Sequence, residues 1–177
     1  MTIVLGVDPG TATTGYGVVA RAGDGAVSLL ECGIIRTDPR EPLPRRLRDI
    51  YEGIGDVIAR HPPDIVAVEG VFYARNVRTT VVLGHTRGAI LLAAALRDLP
   101  VVEYSPAEIK NAIVGTGRAT KEQIQYMVQR LLRLKSAPRP TDAADAVAVA
   151  LCHCFANTLR MPPQPMRFQA RALGRKQ

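Results

Sequence analysis

Two short apolar runs that each end in a carboxylate constrain the fold of this chain more than any other feature. Residues 3–7 lead directly into Asp8, and residues 65–68 lead into Glu69. Short, nearly continuous apolar runs are typical of strands that are buried on both faces of a parallel sheet. A charge at the end of such a strand is costly to desolvate without a partner, so the two acids predict a polar site at one edge of a sheet.

The remaining pattern predicts an α/β fold with a mixed sheet of about five strands flanked by helices. Strands are predicted at 3–7, 15–20, 28–35, 65–69 and 101–104. Helices are predicted at 43–60, 77–96, 106–114, 120–134 and 141–159. The first three strands form an antiparallel meander with a hairpin connection at 23–25, and the helix at 43–60 crosses over to a parallel strand beside the first one.

Charge and length indicate one basic domain with a tail. We expect a single domain at 1–159 and a flexible, proline-rich basic tail at 160–177. Lys and Arg number 23 against 16 Asp and Glu, a formal net charge of +7, and five of the basic residues lie in the tail. A basic chain favours a polyanionic partner such as nucleic acid. No secretory leader or membrane span is recognisable, which predicts a cytoplasmic protein.

Asp142 and Asp145 lie three residues apart on one face in the first turn of the last predicted helix. Acids at this position also cap a helix or favour its dipole, so the pair alone leaves the function open. If the fold brings them to Asp8 and Glu69, the repulsion among four carboxylates requires a cation. Oxygen ligands suit Mg²⁺, and two such ions would permit hydrolysis of a phosphodiester.

Three motifs occur in order along most of the chain. They are Gly6-Val7-Asp8-Pro9-Gly10 with Thr14-Gly15-Tyr16-Gly17, Val68-Glu69-Gly70-Val71-Phe72, and Thr141-Asp142-Ala143-Ala144-Asp145-Ala146. Together with the stretch at 110–125, they resemble the RuvC family of Holliday-junction resolvases. The resemblance implies a ribonuclease-H-like fold, a homodimer, and symmetric nicking of four-way junction DNA that depends on Mg²⁺ or Mn²⁺. It also implies association with branch-migration machinery, and metal-binding catalytic roles for Asp8, Glu69, Asp142 and Asp145.

Aromatic and basic residues follow Glu69 closely. The candidates for DNA contact in this stretch are Phe72, Tyr73, Arg75 and Arg78. Aromatic rings stack on unpaired bases and guanidinium groups bind phosphate. Phe72 is similar to a junction-facing aromatic of the family and is the candidate wedge. A buried Phe72 with solvated arginines is the alternative interpretation.

Two lysines flank the glycine-containing loop at 115–117. Lys121 follows Thr120 in a capping-box pattern with Gln123, so it lies in the first turn of a helix, where a cation is unfavourable unless an anion is nearby. Lys110 and Lys121 both resemble DNA-contacting lysines of the family, although solvated lysines are common. The helix at 77–96 is rich in Gly and Ala and is the predicted dimer face, with core packing inside the monomer as the alternative.

Three other functions share some of these features. A sugar-kinase or actin-like ATPase also begins with a strand, an Asp and a Gly/Thr-rich turn, but it needs two lobes. A related nuclease acting on RNA or linear DNA would use the same acids. A non-catalytic junction-binding protein would use the acids only to cap helices.

Overall fold

The computed structural model describes residues 1–70 and 77–159, which form a mixed sheet between two layers of helices. The strands are β1 (Thr2–Asp8), β2 (Thr13–Arg21), β3 (Val27–Arg36), β4 (Ile65–Glu69) and β5 (Val101–Tyr104). The helices are α1 (Leu43–Arg60), α2 (Val77–Ala95), α3 (Pro106–Val114), α4 (Lys121–Leu131) and α5 (Thr141–Leu159). In the described part of the chain, no helix combines the length and apolar character that a membrane crossing requires.

β1 lies at the centre of the sheet, whose strand order is β3-β2-β1-β4-β5. β1, β2 and β3 form the predicted antiparallel meander, and the β2–β3 connection turns at Gly25, whose φ of 88° favours glycine. β4 runs parallel to β1 and also to β5. The predicted mixed sheet of five strands is therefore confirmed, and its parallel strands end at the same edge.

Alternate residues of β1 face the two helical layers, as the period of a strand requires. Val4 packs in a core with residues of α3, α4 and α5. Leu5 and Val7 pack on the opposite side, with Ile54 of α1 and Ile90 of α2. Because β1 is buried on both faces, its apolar sequence is nearly continuous and only its last residue carries a charge.

Glycines let α5 approach the sheet until backbones touch. A Cβ atom on Gly6 of β1 would lie 2.3 Å from the carbonyl oxygen of Ala146. A Cβ atom on Gly15 of β2 would lie 2.1 Å from the carbonyl oxygen of Asp142. Any larger residue at either position would push the helix away. The helix that carries Asp142 and Asp145 is therefore held directly against the strands beside Asp8.

The predicted end of α4 at 134 is wrong, because the helix ends at Leu131. Arg133 has a left-handed φ of 53°, and the Leu134 N–H donates to the carbonyl of Gln129 at 2.9 Å. This is a Schellman termination, which usually has glycine at the left-handed position. An arginine at this position does not indicate in the sequence that a helix ends.

Candidate active site

Asp8 and Glu69 lie side by side at the carboxyl edge of the sheet. Each is the last residue of its strand, and the parallel strands β1 and β4 pair up to Val7 and Val68. Their carboxyl groups are close enough to share a hydrogen bond. The fold thus brings together two acids that are sixty-one positions apart in the chain.

α5 adds the other two acids. Asp145 lines the same cleft as Asp8 and Glu69, and only 16% of its side chain is exposed. Asp142 lies one turn earlier and does not line the cleft, but its charge raises the pKa of Asp8. The other three acids are therefore within electrostatic range of Asp8.

The cleft has a volume of about 370 Å³ and two chemically different sides. Asp8, Glu69 and Asp145 form the acidic side, while Lys110 and Lys121 lie on the basic side. Apolar residues complete the walls: Pro9, Leu83, Pro106, Ile109, Ile124 and Ala148. Walls of low polarity strengthen every electrostatic interaction with an anion that enters.

The crowding of negative charge changes the protonation of Asp8. Burial, followed by the charges of Glu69 and Asp145, raises the pKa of Asp8 to about 8. Burial also raises the pKa of Glu69, although a hydrogen bond with Asp8 and the charges of Lys121 and Lys110 lower it. The two neighbouring carboxyl groups therefore favour sharing a proton in the metal-free protein.

Lys121 balances part of this charge. Its Nζ donates a hydrogen bond to Oδ2 of Asp145 at 3.2 Å, and this carboxylate raises the pKa of the lysine. Both hydrogen bonds of the predicted capping box between Thr120 and Gln123 are present, which confirms it and fixes the start of α4. Because 71% of the Lys121 side chain is exposed, it remains accessible to a phosphate.

Threonine hydroxyls hold the turn that follows β1. Thr14 Oγ1 donates to the Gly10 carbonyl at 2.7 Å, and Thr37 Oγ1 donates to the Thr11 carbonyl at 2.6 Å. The hydroxyl of Thr11 is 2.8 Å from that of Thr86, which is fully buried on α2. Neither Thr37 nor Thr86 had a signal in the sequence, because each is far along the chain from the turn it holds.

The donors in the cleft fit a hard divalent cation. Within residues 1–70 and 77–159, no three His, Cys, Asp or Glu side chains are arranged closely enough to hold one ion together. Mg²⁺ usually binds one or two carboxylates and completes its shell with water and substrate phosphate, so a full protein cage is not required. Burial, followed by the charges of the neighbouring acids, raises the pKa of Asp8, and a bound cation would stabilise its carboxylate against both effects.

The six residues predicted to contact DNA fall into three groups. Lys110 and Lys121 line the acidic cleft. Arg78 lines a neighbouring cleft together with Arg46, which had no assigned role because it lies in an arginine-rich stretch. The other three lie outside the described residues: Phe72, Tyr73 and Arg75.

A family model and several relatives similar to this chain carry the same description. The family model "Crossover junction endodeoxyribonuclease RuvC" matches residues 4–153. A protein of that name from Moorella thermoacetica is 53% identical over 152 residues, which cover 85% of this chain and 90% of the relative. One from Shewanella sp. (strain ANA-3) is 51% identical over 157 residues, covering 89% of each chain. The solved structure "T. thermophilus RuvC in complex with Holliday junction substrate" is 39% identical with a TM-score of 0.84, covering 89% of this chain and 95% of that one.

Proposed function

The chain belongs to the RuvC family of crossover junction endodeoxyribonucleases, and we propose that it resolves four-way DNA junctions in recombination and repair by paired, symmetric nicks. One observation carries the proposal: acids from β1, β4 and α5 share a cleft with two lysines. The acids suit hydrolysis of a phosphodiester, and the lysines suit a polyanionic substrate. A purely capping role does not explain why Asp8, Glu69 and Asp145 line one cleft.

The four acids would hold divalent cations: Asp8, Glu69, Asp142 and Asp145. We assign two Mg²⁺ ions to each active site, with Mn²⁺ as the alternative. When bound, such ions polarise the phosphoryl group and lower the pKa of water. Release of the proton shared by Asp8 and Glu69 would free carboxylate oxygens for this role.

Two lysines provide the positive charge that attracts DNA to the acidic cleft. Lys110 and Lys121 would hold the phosphate backbone close to a cluster that otherwise repels it. Lys121 is already oriented toward the acids through Asp145. The apolar walls, which include Ile109 and Ile124, would exclude bulk water around the reacting phosphate.

We further propose that α2 forms the interface of a homodimer. Exposed apolar residues and glycines recur every three or four positions along one face: Val77, Val81, Gly84, Gly88, Leu92 and Leu96. The other face is buried within the monomer through Thr86, Ile90, Ala93 and Ala94. Core packing therefore accounts for only one side of the helix. A C₂ dimer would place one active site on each of two equivalent strands of a junction.

Other parts of the proposal depend on family membership. Phe72, Tyr73 and Arg75, together with Arg78, would contact unpaired bases and phosphates at the junction. Residues 160–177 would form a basic tail that follows a nuclease domain at 1–159. Association with branch-migration machinery and a cytoplasmic location complete the proposal.

A synthetic four-way junction tests this function. With Mg²⁺, the wild-type protein should nick two opposed strands at symmetric positions and leave linear duplex and RNA uncut. Asp8→Asn should abolish nicking and keep its affinity for the junction, because the change removes a carboxylate and leaves the lysines in place. Equal cutting of duplex or RNA, or full activity of Asp8→Asn, would contradict the proposal.

A further inference from the structure

A second cleft lies beside the turn that follows β1, and it carries positive charge. Its volume is about 370 Å³, and its lining includes Thr11, Arg46, Arg78 and Leu83. Leu83 also lines the acidic cleft, and Thr11 is three residues from Asp8. The two clefts therefore adjoin on either side of one turn, one with carboxylates and the other with arginines.

We propose that this second cleft binds a backbone phosphate of the DNA strand that is being cut, with Arg46 as its main ligand. The inference rests on the proposed function and adds a contact to it. Three residues span at most about 11 Å, and a B-DNA strand advances about 3.4 Å per nucleotide. We therefore expect the phosphate bound near Thr11 to lie a few nucleotides from the phosphate that is cut beside Asp8.

Arg46 is held in a way that suits an anion. Its side chain is half-buried, and its Nε donates to Oγ1 of Thr37 at 3.0 Å. An arginine fixed through Nε keeps its two terminal nitrogens for an oxyanion. Among the described residues, Arg46 makes no ion pair. Asp38 is engaged by Arg40, which is the main cause of its lowered pKa, and Arg46 contributes less to that lowering.

The helices at this cleft have an unusual charge arrangement. Arg46 lies in the first turn of α1, and Arg78 lies in the first turn of α2. Neither helix has an acid in its first turn. Cations are unfavourable at the positive end of a helix dipole unless an anion is close. A bound phosphate would place an anion at the start of α1, beside Arg46.

Binding by non-cleaving protein tests the inference. Asp8→Asn would be compared with the double variant Asp8→Asn/Arg46→Ala on a fluorescent four-way junction over a range of salt concentrations. Arg46→Ala should weaken binding about tenfold and reduce the slope of log K against log salt by about 1. Arg46→Lys should keep the slope, because it keeps the charge. The control Arg45→Ala should change neither quantity, since Arg45 is exposed and pairs with Glu41 at 3.2 Å.

Neutral methylphosphonates would locate the contact. Each would replace one phosphate within three positions of the cut site, on either side. At one position the replacement should weaken junction binding by Asp8→Asn, which keeps Arg46. The same replacement should have no effect on binding by Asp8→Asn/Arg46→Ala. An unchanged salt slope in Arg46→Ala would overturn the inference, as would equal losses at every position in both proteins.

Two controls separate the possible failures. Thermal melting shows whether Arg46→Ala folds, and if it does not, the methylphosphonate comparison between Arg46 and Arg46→Lys decides the matter. Loss of the position-specific effect in Arg46→Lys supports a bidentate contact, whereas a complete absence of any position-specific effect in the Arg46 protein refutes the cleft. A wild-type protein that neither binds nor nicks junctions would instead refute the proposed function.

Discussion

Lys121, the first residue of α4, donates a hydrogen bond of 3.2 Å from Nζ to Oδ2 of Asp145, which lies one turn into α5. The carboxylate is largely buried and the lysine is mostly exposed. Exposed ion pairs contribute little to stability. The importance of this pair is therefore that it places a cation at the edge of four crowded acids.

Lys121→Met should slow junction nicking by about 10- to 100-fold, the effect typical of residues that support a metal site. It should also shift the pH–rate profile to higher pH, because the charge of Lys121 lowers the pKa of Glu69. Single-turnover rates between pH 6 and 9 would measure both effects. The matched control is Lys135→Met, which removes an exposed lysine that does not line the cleft. A rate loss without a shift of the profile would indicate a purely structural role.

The raised pKa of Asp8 should make the metal-free protein less stable as pH rises. Asp8 titrates near 3.8 in the unfolded chain and at about 8 in the folded protein. The folded state therefore binds more protons between these values, and stability that is present below pH 4 is lost as pH rises through 8. In EDTA, we expect the Tm of wild type to fall between pH 5 and 8.5 relative to that of Asp8→Asn, by an amount equivalent to about 2 kcal/mol or more.

Comparison of wild type with Asp8→Asn isolates the contribution of Asp8 to the pH dependence of stability. Burial lowers the pKa of His153, which acts in the opposite direction over part of the same range, but both proteins contain that histidine. Mg²⁺ at pH 8 should raise the Tm of wild type more than that of Asp8→Asn, because the ion binds only the folded site. Parallel melting curves for the two proteins at every pH would contradict the electrostatic account.

Gly6→Ala should destabilise the protein by about 3 kcal/mol or more, since the new methyl group would collide with the backbone of α5. The free energy of unfolding, measured with urea, checks the prediction. Gly23→Ala is the control: nothing lies within 4 Å of its added Cβ atom, so its effect should be within about 0.5 kcal/mol. Normal stability of Gly6→Ala would mean that α5 does not rest on β1 as described.

Leu92→Glu should convert the proposed dimer into a folded monomer. The side chain of Leu92 is 52% exposed on the apolar face of α2, so a charge there disturbs the interface and not the core. Sedimentation should give twice the monomer mass for wild type and the monomer mass for the variant. Leu30→Glu, which alters an exposed leucine of β3, should remain dimeric. A monomeric wild type at micromolar concentration would contradict the interface.

The sequence predicted most of the fold because its strands and helices carry strong periodic signals. The apolar runs before Asp8 and Glu69 indicated parallel neighbours, and the pairing of Val7 with Val68 bears this out. The end of α4 was missed because the left-handed residue there is Arg133, without the usual glycine.

The candidate site was only partly predictable. The acids stood out because buried charges at strand ends have few structural explanations. The roles of Arg46, Thr37 and Thr86 could not be recognised from the sequence, since they depend on contacts between elements that are remote in the chain. Hydroxyl and guanidinium groups of this kind are common on surfaces, and only tertiary packing distinguishes them.

A contact between backbone atoms does not depend on side-chain rotamers. Because Gly6 of β1 and Gly15 of β2 lie directly against backbone atoms of α5, the distance from Asp8 to the two acids of α5 is set mainly by the main chain. Substitutions in the surrounding alanine-rich layer should therefore lower the melting temperature long before they alter catalytic alignment. Substitutions that accumulate during evolution can therefore lower the stability of such a protein while its acidic residues stay aligned.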